Sequence, residues 1–232
     1  MDEKQKRPAP AGKKRWLLLA VLLLAAASLI FLLTRVRSWS ERQEKTKLLT
    51  IVDRDHPVAA DYNVEFTLLG GGQMVDSRCV DDLELMLKAC AEAGGAPELR
   101  GSFRTWGAQE AIYEEALAAL IAEGLDAEKA AAALERRTPL PGCSEHELGL
   151  AVDIGEQGSE LPLERQGDSF TLRWLAENCW DFGFIVRYPE GKTAITGMEA
   201  QPWHFRYVGR EAAAQIRDLD LTLEEYIQMF YS

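Results

Sequence analysis

The segment Ser144-Glu-His-Glu-Leu-Gly-Leu-Ala-Val-Asp-Ile154 constrains the fold more than any other stretch of the chain. His146 and Asp153 stand seven residues apart, whereas neighbours on a helix surface are three or four apart. The two side chains can meet only if a loop bends at Gly149 and a strand then projects the carboxylate back. Leu150 to Ile154 is a short apolar run of the kind that forms a buried strand, which supports that geometry. Glu147 after His146 invites comparison with the helical H-E-x-x-H metal motif, but position 150 is Leu, so that reading fails. Taken alone, a His and an Asp at this spacing are more often a surface pair than a site.

The rest of the chain sets the class. Ser77 to Glu92 carries Cys79, Val80, Leu83, Met86, Leu87 and Cys90 at a helical period, and Gly94-Gly95 stops it. Gln109 to Glu123 is a second helix, ended by Gly124. Asp126 caps a third that runs to about Arg137. Thr171 to Trp180 is helical, and Thr222-Leu-Glu-Glu225 opens a last helix with a capping-box pattern. Strands are expected at Leu48 to Val52, Glu98 to Phe103, Leu150 to Ile154, Phe184 to Tyr188 and His204 to Val208, with Asp55-His-Pro57 as a turn. Helices cluster early and strands late, which predicts an α+β domain with a small, mainly antiparallel sheet and flanking helices.

The N-terminus has a different character. Trp16 to Leu33 is almost unbroken Leu, Ala, Val, Ile and Phe, and about 20 such residues span a bilayer. A cleaved signal has a shorter apolar core of about 7–15 residues, so the stretch reads as an uncleaved anchor. Lys4, Lys6, Arg7, Lys13, Lys14 and Arg15 precede it, which places residues 1–15 in the cytoplasm as a basic tail by the positive-inside rule. The expected organisation is a transmembrane helix over 16–34, a stalk over 35–47 and an extracellular domain over 48–232. Residues 1–47 hold 11 of the 26 Lys and Arg and 4 of the 37 Asp and Glu, leaving 15 basic and 33 acidic residues for the domain, a net −18. That sign argues against nucleic acid as a partner. Outside the cell disulfides are permitted. Cys79 and Cys90, about three helical turns apart, cannot meet. Cys143 and Cys179 are the plausible pair, and four free thiols are the alternative.

Two of the three histidines, His146 and His204, lie in motif-like settings, the second being Gln201-Pro-Trp-His-Phe-Arg-Tyr-Val-Gly209. His56 reads as a turn residue. Two imidazoles, one carboxylate and a position left for water are the donors of a hydrolytic zinc site. Further segments fall in order along the chain: Val-Asp-Arg-Asp-His-Pro-Val58 with Asp61-Tyr62, Gly-Ser-Phe-Arg104 with Gln109, Pro-Gly-Cys-Ser-Glu-His146, and Gly183-Phe-Ile-Val-Arg-Tyr-Pro-Glu-Gly-Lys192 with Thr196-Gly197. Together, from about Leu49 to Gly209, they resemble the zinc D,D- and L,D-carboxypeptidases of the VanY and LdcB type (peptidase M15B), which trim peptidoglycan stem peptides. The resemblance implies Zn2+ held by His146, Asp153 and His204. It also implies a substrate groove lined by Ser102, Arg104, Gln109, Ser144 and Trp203, with D-Ala-terminated stem peptides as the partner. Arg104 suits either a terminal carboxylate or an oxyanion, because its planar fork donates to both.

One position departs from the pattern. The family's general base is a Glu three residues before the last His, and this chain has Gln201 there. An amide cannot accept and return a proton at neutral pH, and losing acid–base help costs roughly 10²–10⁴ in rate. The departure has three explanations: an introduced Glu→Gln change, a natural peptidoglycan-binding relative without turnover, or rescue by another carboxylate such as Glu199 or Glu147.

Overall fold

The computed structural model describes residues 27–37, 46–63 and 65–231. The chain divides into two compact units, residues 1–47 and Leu48–Ser232. In the first, residues 27–37 are helical, with Leu29 to Leu33 exposed. Residues 16–26 of the expected anchor and 38–45 of the expected stalk lie outside the described residues. Among the described residues no helix is long and apolar enough to cross a membrane.

The second unit is a mixed α+β fold. A small hairpin, β1 (Phe66–Leu68) and β2 (Met74–Asp76), pairs antiparallel across Gly70–Gly72. It was not expected from sequence, because three-residue strands carry too few positions to show a period of two. α1 (Val80–Glu92) follows, then β3 (Pro97–Gly101), α2 (Trp106–Ala122) and α3 (Ala127–Leu134). After a loop and a 3-10 turn over Glu145–Leu148 come β4 (Ala151–Glu156), α4 (Phe170–Asn178), β5 (Phe184–Tyr188) and β6 (Gln201–Tyr207). Two C-terminal helices, α5 (Arg210–Leu219) and α6 (Leu223–Phe230), close the chain. The main sheet has the order β3-β4-β6-β5, antiparallel throughout.

The helix ends follow their caps. Thr105, Asp126, Ser169 and Thr222 each accept from a backbone N–H of the first turn, and Glu225 returns the bond to Thr222. α1 buries Leu83, Met86 and Cys90 against Leu150, Val152, Ile154, Leu172, Leu175 and Phe205. A second cluster of Ile185, Val208, Ala213, Ile216 and Leu223 fixes α5 and α6 to β5.

Leu48 to Val52 is not a strand, although Leu49 and Val52 are buried. Its backbone acceptors are used differently. Arg206 donates from Nη2 to the carbonyls of Leu48 and Thr50, both at 2.9 Å. A buried guanidinium supplies what a neighbouring strand would have supplied. The four cysteines are free, so Cys143 and Cys179 are not paired. Cys179 packs in the main core, whereas Cys143 lines a surface cavity with Arg54 and Glu135.

Gly149 turns the chain out of the 3-10 segment into β4 at φ 73°. A Cβ there would stand 2.6 Å from the Phe66 ring and 3.1 Å from Asp76 N. Left-handed strain and overpacking add, so Gly149→Ala should lower stability by about 2–4 kcal/mol, read as a lower urea midpoint with an unchanged slope.

Candidate metal centre

Three adjacent backbone positions build the site. β4 places Asp153 directly across from His204 of β6, and across from Gly101 of β3 on its other side. The 3-10 turn that ends at Gly149 carries His146 over the same strand end. His146, Asp153 and His204 are all buried and offer donor atoms within 4.8 Å of one another.

Each imidazole is oriented from behind. His146 Nδ1 lies 2.8 Å from the carbonyl of Ser102, which accepts its proton and leaves Nε2 as the free donor. Nε2 lies 3.0 Å from Asp153 Oδ2. His204 uses the opposite tautomer: Nδ1 is 2.8 Å from Asp153 Oδ1, while Nε2 faces Glu145 Oε2 at 3.7 Å. The His204 ring stacks on Tyr188 with centroids 5.2 Å apart and meets the His146 ring edge-on at 4.9 Å.

Glu145 is the residue that sequence reasoning missed. It is buried beside two arginines with no solvent exposure to spare. Arg187 Nε donates to Oε1 at 2.8 Å, and Arg206 Nη1 makes an ion-pair contact with the same oxygen at 2.7 Å. Arg187 also clamps Glu224 of α6 with Nη1 and Nη2, at 3.1 and 2.6 Å. Glu145 Oε2 and His204 Nε2 are buried without a hydrogen-bond partner. They face each other, as an imidazole N–H and its carboxylate do when the other ring nitrogen is committed to a metal. The signal in the sequence was the acid directly before a motif histidine, together with Arg187 and Arg206 inside two apolar strands.

The electrostatics follow from burial and pairing. Burial would push the Glu145 carboxyl up, but Arg187 and Arg206 hold it well below the usual range. Burial would also raise Asp153, and His146 and His204 bring it well below its ordinary value. Burial lowers His146, the pull of Asp153 being too weak to reverse it. His204 is raised against its burial by its bonds to Asp153 and Glu145. These directions favour an ionised Asp153 and a neutral His146, whereas His204, raised by its two carboxylate partners, must give up a proton to coordinate a metal.

Two imidazole nitrogens and one carboxylate, clustered and buried, are a donor set that suits a zinc ion. The cleft is about 210 Å³, and Arg104, Gln109, Ser144, Gln201 and Trp203 line it with the three candidate ligands. Arg104 Nη2 donates to Asp153 Oδ2 at 2.7 Å and Nη1 to Gln109 Oε1 at 3.4 Å. Gln109 in turn donates to the Pro139 carbonyl at 2.8 Å. Trp203 both lines the cleft and packs on the main core. Gly101 is needed here, because a Cβ would stand 2.6 Å from Asp153 Oδ2 and 2.8 Å from Arg104 Nη2.

Several expected roles fall elsewhere. Ser102 does not line the cleft. Its hydroxyl bonds Gln73 and Met74 N, and its part in the site is the carbonyl that holds His146. Glu147 accepts from Gly142 N at 2.8 Å and Ser144 N at 3.3 Å, which fixes the loop. Glu199 pairs with Arg137 at 2.9 Å. Neither Glu147 nor Glu199 lines the cleft. His56 is exposed and pairs with Asp53.

The model of a family described as VanY, D-alanyl-D-alanine carboxypeptidase, matches residues 72–210, more than half of the chain. The chain belongs to the VanY family. It is 41% identical over 179 residues to a D-alanyl-D-alanine carboxypeptidase of Enterococcus faecalis, covering 77% of this chain and 65% of the relative's length. It is similar to a crystal structure of a variant of the vancomycin-resistance D,D-pentapeptidase VanY from a VanB-type cassette, in complex with Zn(II). That match has 41% identity, a TM-score of 0.72, and coverage of 78% of this chain and 99% of the other. The LdcB LD-carboxypeptidase, whose structure is described as revealing the molecular basis of peptidoglycan recognition, has 31% identity and a TM-score of 0.65, over 78% and 86% of the two chains.

If Glu145 orients His204, Glu145→Gln should lower zinc affinity by about 10–100-fold. It should also cost about 3–5 kcal/mol of stability, because the buried Arg206 guanidinium loses its counter-charge while Arg187 keeps only Glu224. Competition with a chromophoric chelator and urea unfolding measure the two effects separately.

Proposed function

We propose that this chain is a zinc-dependent carboxypeptidase that removes the C-terminal D-Ala from peptidoglycan stem peptides, D,D substrates first and L,D second. The observation that carries the reading is the convergence of His146, Asp153 and His204 at the floor of a cleft faced by Arg104 and Gln109. The VanY relatives, one of them in complex with Zn(II), support it.

His146 Nε2, Asp153 and His204 Nδ1 would hold the ion, with Ser102 and Glu145 fixing the two rings. A zinc ion held there would supply an acidified water and a Lewis acid for the scissile carbonyl. Arg104 presents the donors that Asp153 and Gln109 leave free, for the substrate's terminal carboxylate or the developing oxyanion. Ser144 and Trp203 form walls of the groove. A neighbouring cavity of about 270 Å³ shares Thr138, Pro139 and Tyr188 with the cleft and offers room for the stem-peptide residues before the scissile bond.

Gln201 sets the rate. Its amide donates to the Arg137 carbonyl at 3.1 Å, so its nitrogen side is taken by backbone. A Glu there would bring a carboxylate oxygen against that carbonyl, which favours the protonated acid and raises its pKa toward the range useful for proton transfer. Gln201 also favours a second reading, a peptidoglycan-binding protein on the same fold that recognises stem peptides without turning them over. Gln201→Glu separates the two. With zinc content matched, D-Ala release from pentapeptide or tetrapeptide should rise by roughly 10²–10⁴. Release from neither peptide by either form would leave the binding reading.

The residues before the domain complete the proposal. Trp16 to Leu33 anchors the protein in the membrane, basic tail inside and the zinc domain outside. Mass spectrometry of membrane-extracted protein should find the residues before Trp16 still attached. A mature N-terminus at Ser28 or later would overturn the anchor.

A further inference from the structure

We propose that Glu164 is the catalytic residue that accepts and returns the proton in this cleft, where Gln201 cannot; the inference rests on the carboxypeptidase reading above. Three carboxylates line the cleft among the described residues: Glu145, Asp153 and Glu164. Asp153 is bonded by His146, His204 and Arg104, and Glu145 is enclosed by Arg187 and Arg206. Both are committed as anions. Glu164 is exposed at the rim and has no hydrogen-bond or ion-pair partner among the described residues. It is the one acid of the cleft whose lone pairs are available to water and substrate.

Other proton carriers in the cleft are eliminated in turn. Arg104 and Arg137 stay charged. Tyr188 is buried with its ring stacked on His204. The two histidines are the ligands.

The loop that carries Glu164 is fixed. It forms a 3-10 turn over Leu163–Arg165. Gln166, buried behind it, accepts from Glu156 N at 2.7 Å and donates to the Leu161 carbonyl, which ties the turn to the end of β4. On the other side Gly167 packs on Pro202, the residue after Gln201, close enough that a Cβ would stand 3.2 Å from its ring. Glu164 is therefore carried on a fixed turn beside Pro202, in the cleft that Gln201 and the three candidate ligands also line.

The step balances within the cleft. One proton of the attacking water passes to Glu164 as the water oxygen bonds the scissile carbonyl carbon. The carbon–nitrogen bond then breaks with its electron pair on nitrogen, and the proton held by Glu164 moves to that nitrogen as D-Ala leaves.

The test uses the full chain, loaded with zinc, in four forms: unaltered, Glu164→Gln, Gln201→Glu and the double variant. In the unaltered background, Glu164→Gln should cut D-Ala release by about 10-fold or more at equal zinc content. The loss should be smaller beside Gln201→Glu, where a second base is present. Calorimetry of a D-Ala-D-Ala phosphinate analogue, in two buffers of different ionisation enthalpy, supplies a readout independent of turnover. Binding should take up a proton in the unaltered chain, and Glu164→Gln should abolish that uptake. Unchanged release and uptake would overturn the role of Glu164. So would equal losses in both backgrounds, or turnover by the Gln201→Glu form with none by the unaltered chain. If neither the unaltered chain nor Gln201→Glu releases D-Ala or binds the phosphinate, the carboxypeptidase reading itself fails and takes this inference with it.

Discussion

A single buried carboxylate holds the site and the fold together. Glu145 meets Arg187 of β5 and Arg206 of β6, and both arginines are almost wholly enclosed. Removing such charges from water costs several kcal/mol per ion, which is recovered only when every group finds a partner. The partners here reach across the domain. Arg206 collects the carbonyls of Leu48 and Thr50, and Arg187 collects Glu224 of the last helix. The oxygen of Glu145 left over faces His204. One network thus sews both ends of the domain to the ring that would bind the metal.

The front of the site is built on a different principle. Asp153 and His204 are cross-strand neighbours, so their separation is set by the sheet itself. A site on paired strands is held more tightly than one on loops. His146 comes from a turn, and it is fixed by the Ser102 carbonyl behind it and by the glycine that ends the turn. Gly101 leaves the volume into which Asp153 and Arg104 pack, so the carboxylate and the guanidinium share one crowded corner. Against that rigid background the variable element is the acid–base group. A neutral amide stands at Gln201, bonded to the Arg137 carbonyl, and under the proposed function proton transfer falls to the loop that rims the cleft.

The order of the helices and the late strands were legible in the sequence, because each is a local signal, whereas the three candidate ligands were named through the family resemblance. Helical periods, caps and a short apolar run after Gly149 depend on neighbours in the chain. The expected strand at Leu48 to Val52 failed for the opposite reason. Its apolar pattern reports burial, and what pairs its backbone is a guanidinium from residue 206. The hairpin of Phe66 and Met74 was missed because its strands are too short to carry a pattern.

What the sequence determined by itself is the chemistry available: two histidines, an aspartate, an arginine and an amide where an acid would serve. Residue type fixes donor and proton capacity wherever the side chain ends up. What only the tertiary structure decided is direction and partnership. It selected Nε2 of one ring and Nδ1 of the other, turned the Ser102 hydroxyl away, bound Glu199 to Arg137 and Glu147 into a loop, and left Glu164 facing the cleft. Those outcomes depend on contacts between residues far apart in the chain, and no local pattern encodes them.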